Sequence, residues 1–195
     1  MLTVLMLGLL RGASAAGFQP SDVAFDAAGV LVVRVRYVKR RPEFRTNPGI
    51  LRFTRPTAAQ RARAAAQGRR HVRDQALDIV ARALQRVPEF VTYVSDRVTP
   101  GGRNGEDAAS LLTEKLRMLC PVADMGLAPD TIVACHSIRE MGAVVNYKAG
   151  RSLLRVAERG FWKSIEVMWS SYIEPYLWFP SSPWLEELYD DIAGA

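Results

Sequence analysis

The stretch "GVLVVRVRYV", residues 29 to 38, constrains the chain most, because β-branched residues alternate there with Arg34 and Arg36. Side chains along a strand point to opposite faces in turn, so Val33, Val35 and Tyr37 share one side. Arg34, Arg36 and Val38 share the other. One dry face and one wet face is the pattern of a strand in a small antiparallel sheet.

Elsewhere the punctuation is helical. Residues 1 to 16 read as an apolar helix broken by Gly17, and "QPSDV" follows as a turn. Helical spacing appears in "DQALDIVARALQRV", stops near Pro88, and returns in "EDAASLLTEKLRML" after the Gly-rich "TPGGRNG". "DTIVACHSIREMGAVVNYKAG" leads into a helix with Gly150 as its stop. Ser152 caps "LLRVAE", Gly160 ends it, and Lys163 or Ser164 opens a further helix with Tyr172 near its end. Residues 40 to 68, with Pro42, Pro48, Pro56 and many arginines, read as an insertion or linker, with a short helix or loop in the Ala/Gln/Arg tract. At 195 residues the expectation is a mainly helical α+β domain with a small antiparallel sheet near residues 23 to 55.

The formal charge of +6 and pI of about 9.7 call for an anionic partner, nucleic acid ahead of an acidic membrane surface. The charge is unevenly laid out. Residues 34 to 73 hold thirteen Lys or Arg against Glu43 alone, whereas residues 174 to 195 hold five acids and no Lys or Arg. Cys120, Cys135, His71 and His136 lack the spacing of a zinc finger or ribbon, so no metal is expected, and two cysteines do not make a disulfide framework. An intracellular setting follows. The opening "MLTVLMLGLLRGASAAG" imitates a secretory leader, but it has no basic start and Arg11 interrupts it. It is also shorter than the ~20 apolar residues of a membrane span, so no membrane partner is expected.

The residues with chemical potential gather after residue 130. His136 and Arg139 are three apart, so on a helix they share a face, with His136 in the first turn where the dipole favours an anion. Taken alone, such a pair is commonly structural, through a carbonyl partner or an ion pair with Glu140 or Glu158. In chain order, however, "GLLRGASAAGFQPSDV", strand residues ending at Lys39, "HSIR", "GFWKS" and Tyr172 together resemble the catalytic domain of the tyrosine recombinases. These are the integrase-type enzymes that cut and rejoin DNA, and the "GxWKS" form is familiar in those of eukaryotic mobile elements. The resemblance covers most of the chain and is poorest between residues 40 and 107.

That resemblance implies a DNA breaking-rejoining fold and a set of roles. Arg11 and Arg139 would be the paired arginines, His136 the first residue of HxxR, Lys39 the lysine of the β-hairpin, Trp162 the residue that is His or Trp in the family, and Tyr172 the nucleophile. A guanidinium offers planar paired donors to phosphate oxygens at any working pH. The phenol would attack phosphorus, giving a 3′-phosphotyrosyl link and a free 5′-hydroxyl; His136 would accept or orient the proton, and Lys39 would protonate the leaving oxygen. Neither metal nor cofactor is implied. Trp162 follows Arg139 by twenty-three residues, as in the family, but Tyr172 follows Trp162 by ten, one more than the family shows, which a local bulge or looser helix would absorb. Tyr147 stands too close behind Arg139 for that role, and Tyr176 is farther out of register.

Two departures qualify the likeness. Ser14 stands three places after Arg11, where the family shows an acidic or amide residue, so an anchor for the guanidinium is lost. The family's preceding helical DNA-clamping domain is also not expected here, which would leave half a clamp and salt-sensitive duplex binding. Residues 176 to 195 are expected to form an acidic tail helix that packs on its own domain or on a neighbouring copy in a tetramer on DNA. In a eukaryote the site of action would be the nucleus. The alternatives are a catalytically inactive DNA-binding relic with the same fold, and an exported basic protein.

Overall fold

The computed structural model describes residues 10–11, 14, 18, 20–38, 41–85, 110, 113–114, 116–118, 134–177 and 191. Over these residues the chain is mainly helical with one three-stranded antiparallel sheet, in the order β1 (Val23–Phe25), β2 (Leu31–Val35), β3 (Gly49–Phe53). Val33 stands opposite Val23 on one side and Leu51 on the other. The β1–β2 turn is closed by Asp26, whose carboxylate accepts from the Ala28 and Val30 amides at 3.0 Å, with Gly29 taking the left-handed φ of 73°.

Period two decides which face is covered. Leu31, Val33, Val35, Leu51 and Phe53 are buried, while Arg34 and Arg52 point to water. The dry face packs on Ala76, Leu77 and Val80 of helix α2 (Val72–Gln85), with Leu10 and Val38 closing the edges. Each fully buried Val or Leu here contributes about 1.5–3 kcal/mol, so this sheet–helix layer is the main source of stability in the first half of the chain.

Residues 40 to 68 are not a structureless linker: the sheet expected near residues 23 to 55 reaches into them, and the Ala/Gln/Arg tract takes the helical alternative. Residues 49 to 53 are the third strand, and helix α1 (Ala58–Ala66) follows, opened by a capping box in which the Gln60 amide donates to Thr57 Oγ1 and the Thr57 amide to Gln60 Oε1. Its arginines are largely spent within the fold. Arg36 pairs with Asp22 at 2.6 Å, Arg52 with Asp26 at 3.3 Å, Arg55 with Asp74 and Asp78, Arg61 with Asp74 at 2.6 Å, and Arg70 with Asp78.

The second half is built from short helices set by the punctuation seen in the sequence. Helix α3 (Cys135–Lys148) stops at Gly150, φ 85°, and α4 (Leu153–Arg159) starts on Ser152, whose hydroxyl accepts from the Arg155 amide. Ser164 caps α5 (Ile165–Met168) by accepting from Val167. The chain then widens into a π turn, Trp169–Ile173, closed by the Glu174 amide donating to the Trp169 carbonyl, five residues back. Ala143, Val156, Ala157, Trp162, Met168, Tyr172 and Ile173 form a second core, and Ile138 and Phe161 also pack on the first core.

Two expectations meet the described residues only in part. Of the first 17 residues, only Leu10, Arg11 and Ser14 are described, and of the acidic tail only Glu174 to Leu177 and Asp191. Asp191 docks in cis: its buried carboxylate accepts from Arg69 at 2.7 and 3.0 Å and from the Val72 amide at 2.8 Å. Among the described residues no helix is long and apolar enough to cross a membrane.

Candidate active site

Helix α3 presents His136 and Arg139 from its first turns on one face, and the side chains diverge in burial. His136 is largely exposed and its Nε2 lies 3.4 Å from Glu140 Oε1, one turn on. Arg139 is 2% exposed and donates from Nη2 to the Gly160 carbonyl at 2.8 Å. That carbonyl belongs to the end of α4, so the arginine ties α3 to the turn that delivers Trp162.

Trp162 completes the arrangement around Arg139. The guanidinium carbon lies 3.7 Å from the centroid of the Trp162 ring, a close cation–π contact. The Tyr172 ring stands edge-on to Trp162 at 5.4 Å and 5.2 Å from the His136 ring. Tyr172 is itself buried, on the π turn. Burial first, and the neighbouring Arg11 charge second, push the Arg139 guanidinium below its ordinary range, while the Tyr172 phenol, which hydrogen-bonds it, works in the opposite direction. Arginine is so strong a base that Arg139 stays charged at neutral pH.

Arg11 is half-buried and lines a cleft of about 290 Å³ together with Arg41, Phe161, Trp162, Lys163, Ser164 and Val167. The buried Trp162 indole N–H has no hydrogen-bond partner among the described residues. A buried donor left unsatisfied costs about 1–3 kcal/mol.

Of the six residues singled out in the sequence, Arg139 has Arg11, Trp162 and Tyr172 as neighbours and Tyr172 has His136, but only Arg11 and Trp162 line the cleft; Lys39 lies outside the described residues. Between Trp162 and Tyr172 the chain widens into the π turn, which takes five residues per hydrogen-bonded step where an α-helix takes four. The two competing tyrosines are engaged elsewhere. Tyr147 packs edge-on against Trp169, and Tyr176 donates to Glu140 at 3.2 Å, its pKa raised by burial and then by that carboxylate. Sequence reasoning missed Arg41, Lys163 and Phe161 as cleft residues. Lys163 stood inside the quoted "GFWKS", but Arg41 is one of many adjacent arginines and nothing local distinguishes it.

No protein-family model, no curated protein and no solved structure matches the chain.

Proposed function

We propose that this chain is the catalytic domain of a tyrosine recombinase, cutting and rejoining duplex DNA through a phosphotyrosyl intermediate. One observation carries the reading above all: Trp162 lines a cleft together with Arg11, Arg41 and Lys163, while the same ring stacks on Arg139 and meets Tyr172 edge-on. A phosphodiester in the cleft would meet the Arg11, Arg41 and Lys163 charges, with Trp162 joining it to Arg139 and Tyr172.

In this reading Arg11 and Arg139 hold the non-bridging oxygens, and their charge grows more valuable as attack concentrates negative charge there. The Tyr172 oxygen bonds to phosphorus, the bond from phosphorus to the 5′-oxygen breaks, and the phenol proton leaves toward His136, whose ring stands 5.2 Å from the tyrosine ring. The departing oxygen takes a proton from Lys39. Reversal with a new 5′-hydroxyl rejoins the strand, and the energy of the phosphodiester is kept in the tyrosyl link. Duplex DNA is the partner, engaged by several copies of the chain, four in a complete synapse.

The test uses a duplex nicked close to the scissile phosphate, so that the released fragment diffuses away and the covalent protein–DNA species accumulates. The wild-type chain is expected to form it, and Tyr172→Phe to form none. Adduct from Tyr172→Phe at the wild-type level removes Tyr172 from its role. Duplex binding by the wild-type chain with no adduct at all leaves the inactive DNA-binding relic.

A further inference from the structure

We propose that Phe161 is a positioning residue: its left-handed backbone and its clamped ring seat the Trp162 indole between the cleft and the Arg139 guanidinium. The placement stands on geometry alone, and only its consequence for strand cleavage rests on the recombinase reading.

Phe161 has φ 54°, and among the described residues it is the one non-glycine in the left-handed region. A bulky side chain adopts that conformation only where its surroundings impose it. The imposing contacts are specific. The Phe161 ring meets Phe44 edge-on at 5.1 Å and 82°, and both rings press on Gly49, where a Cβ would come within 2.6 Å of each. Glycine at the start of β3 is thus the slot that admits the ring pair. On the backbone side, the Phe161 amide donates to Glu158 and the Trp162 amide to Ala157, so the chain doubles back immediately after α4.

That reversal folds the Trp162 ring over Gly160, so closely that a Cβ at Gly160 would overlap Cζ3 of the indole. The Gly160 carbonyl in turn receives Arg139 Nη2 at 2.8 Å. With Phe161 in a helical or extended conformation the following residue would leave in another direction, and the Trp162 ring would lose both Gly160 and Arg139. A second wall is set by the same clamp. Phe44 sits in the short turn Pro42–Arg45, the Arg41 guanidinium lies 5.9 Å from the Phe44 ring, and Arg41 lines the cleft together with Trp162 and Lys163. The Phe44–Phe161 pair therefore joins the β2–β3 connection to the turn at residues 160 to 162, and fixes how far Arg41 stands from Trp162.

The experiment uses the full chain labelled with 5-fluorotryptophan, whose four tryptophans give four ¹⁹F lines, the Trp162 line being identified by its loss in Trp162→Phe. Phe161→Asn tolerates the left-handed backbone but removes the ring, and Phe44→Ala removes the ring's partner while leaving residue 161 intact. Both are expected to move the Trp162 line, with the other three unchanged, and Phe161→Tyr to keep it in place. On the nicked duplex both should slow single-turnover adduct formation on the order of tenfold or more, with duplex affinity changed less than about twofold, since a displacement of an ångström suffices for such losses. Val33→Ala, a core change under the sheet, should lower the melting temperature without moving the Trp162 line or the cleavage rate. A Trp162 line that stays put in both Phe161→Asn and Phe44→Ala, or that Val33→Ala moves equally, overturns the proposal. If Phe161→Asn does not fold, Phe44→Ala decides. If the wild-type chain makes no adduct, the recombinase reading fails, and the ¹⁹F lines still decide the role of Phe161.

Discussion

Replacing Trp162 by Phe separates packing from phosphate binding, because the indole N–H is buried without a partner. In the ligand-free protein that donor costs about 1–3 kcal/mol, and phenylalanine removes it. Against this, the smaller ring gives up about 40 Å² of buried apolar surface, about 1 kcal/mol at ~25 cal/mol per Å². It also weakens the contact with Arg139, now at 3.7 Å, by a fraction of the roughly 0.5–2 kcal/mol such contacts contribute. The terms offset to within about 1 kcal/mol, or a shift of about 2–4 °C in melting temperature. Cleavage of the nicked duplex should fall far more, on the order of a hundredfold, as for the loss of one donor to a transition-state oxyanion. Trp162→His, which returns a ring N–H, should recover part of that loss. Wild-type cleavage by Trp162→Phe, or destabilisation beyond about 3 kcal/mol, would show that the indole serves packing and would refute the argument.

Deleting Ser171, exposed in the π turn, should convert residues around it to α-helix and leave Tyr172 within reach of Trp162, so adduct formation should survive, whereas inserting an alanine there should abolish it; the gel assay of covalent adduct reads both. Asp191→Asn should cost about 2–3 kcal/mol in urea unfolding, because it leaves Arg69 facing a neutral group in a mostly buried pair. Acid should weaken the fold in two stages, followed by thermal melts across pH. Burial, opposed by Asp191, holds the His71 imidazole below its usual range, so from about pH 6.5 downward the unfolded chain takes up a proton that the native chain refuses. Hydrogen bonds from Arg61 hold Asp74 low and those from Arg55 hold Asp78 low; for Asp191, Arg69 and the Val72 amide outweigh burial. These three contributions are complete above the unfolded value of about 3.9 and are lost as pH falls through the depressed native values.

What the sequence disclosed is what local chemistry encodes. The alternation in "VVRV" put Val33 and Val35 inside and Arg34 outside because side-chain direction on a strand depends only on parity. Ser152 and Ser164 were readable as caps, and Gly150 as a stop, because each satisfies or releases the backbone of its own helix end. The region of β3 and α1 was opaque for the opposite reason. Its prolines and arginines look like those of a solvated linker, and aspartates that fold it, Asp26 and Asp74, lie from 13 to 26 residues away on other elements. The site divides in the same way. Spacing placed His136 and Arg139 on one face and exposed the surplus residue before Tyr172, but no spacing announces the left-handed turn at Phe161, which two distant aromatic rings impose.

The pairing of the basic segment also changes where the protein's positive charge can act. Read as a string, residues 34 to 73 look like the surface that would meet a polyanion. In the fold, Arg36, Arg52, Arg55, Arg61, Arg69 and Arg70 each face an aspartate, and Arg73 is buried with Nη2 donating to Gln60. Those charges neutralise locally and hold the sheet and α2 together. Among the described residues Arg11 and Lys163 make no ion pair, and Arg41 only reaches Glu43 at 4.0 Å; these three line one cleft, whereas Arg34, Arg45 and Arg63, which make no ion pair either, lie apart from it. A concave, partly apolar wall with uncompensated cations focuses field in a way a neutralised surface does not. Arg11 further depresses Arg139 across that wall, a repulsion the protein maintains when the cleft is empty. In the proposed function, an anion bound by Arg11 in the cleft would offset this repulsion.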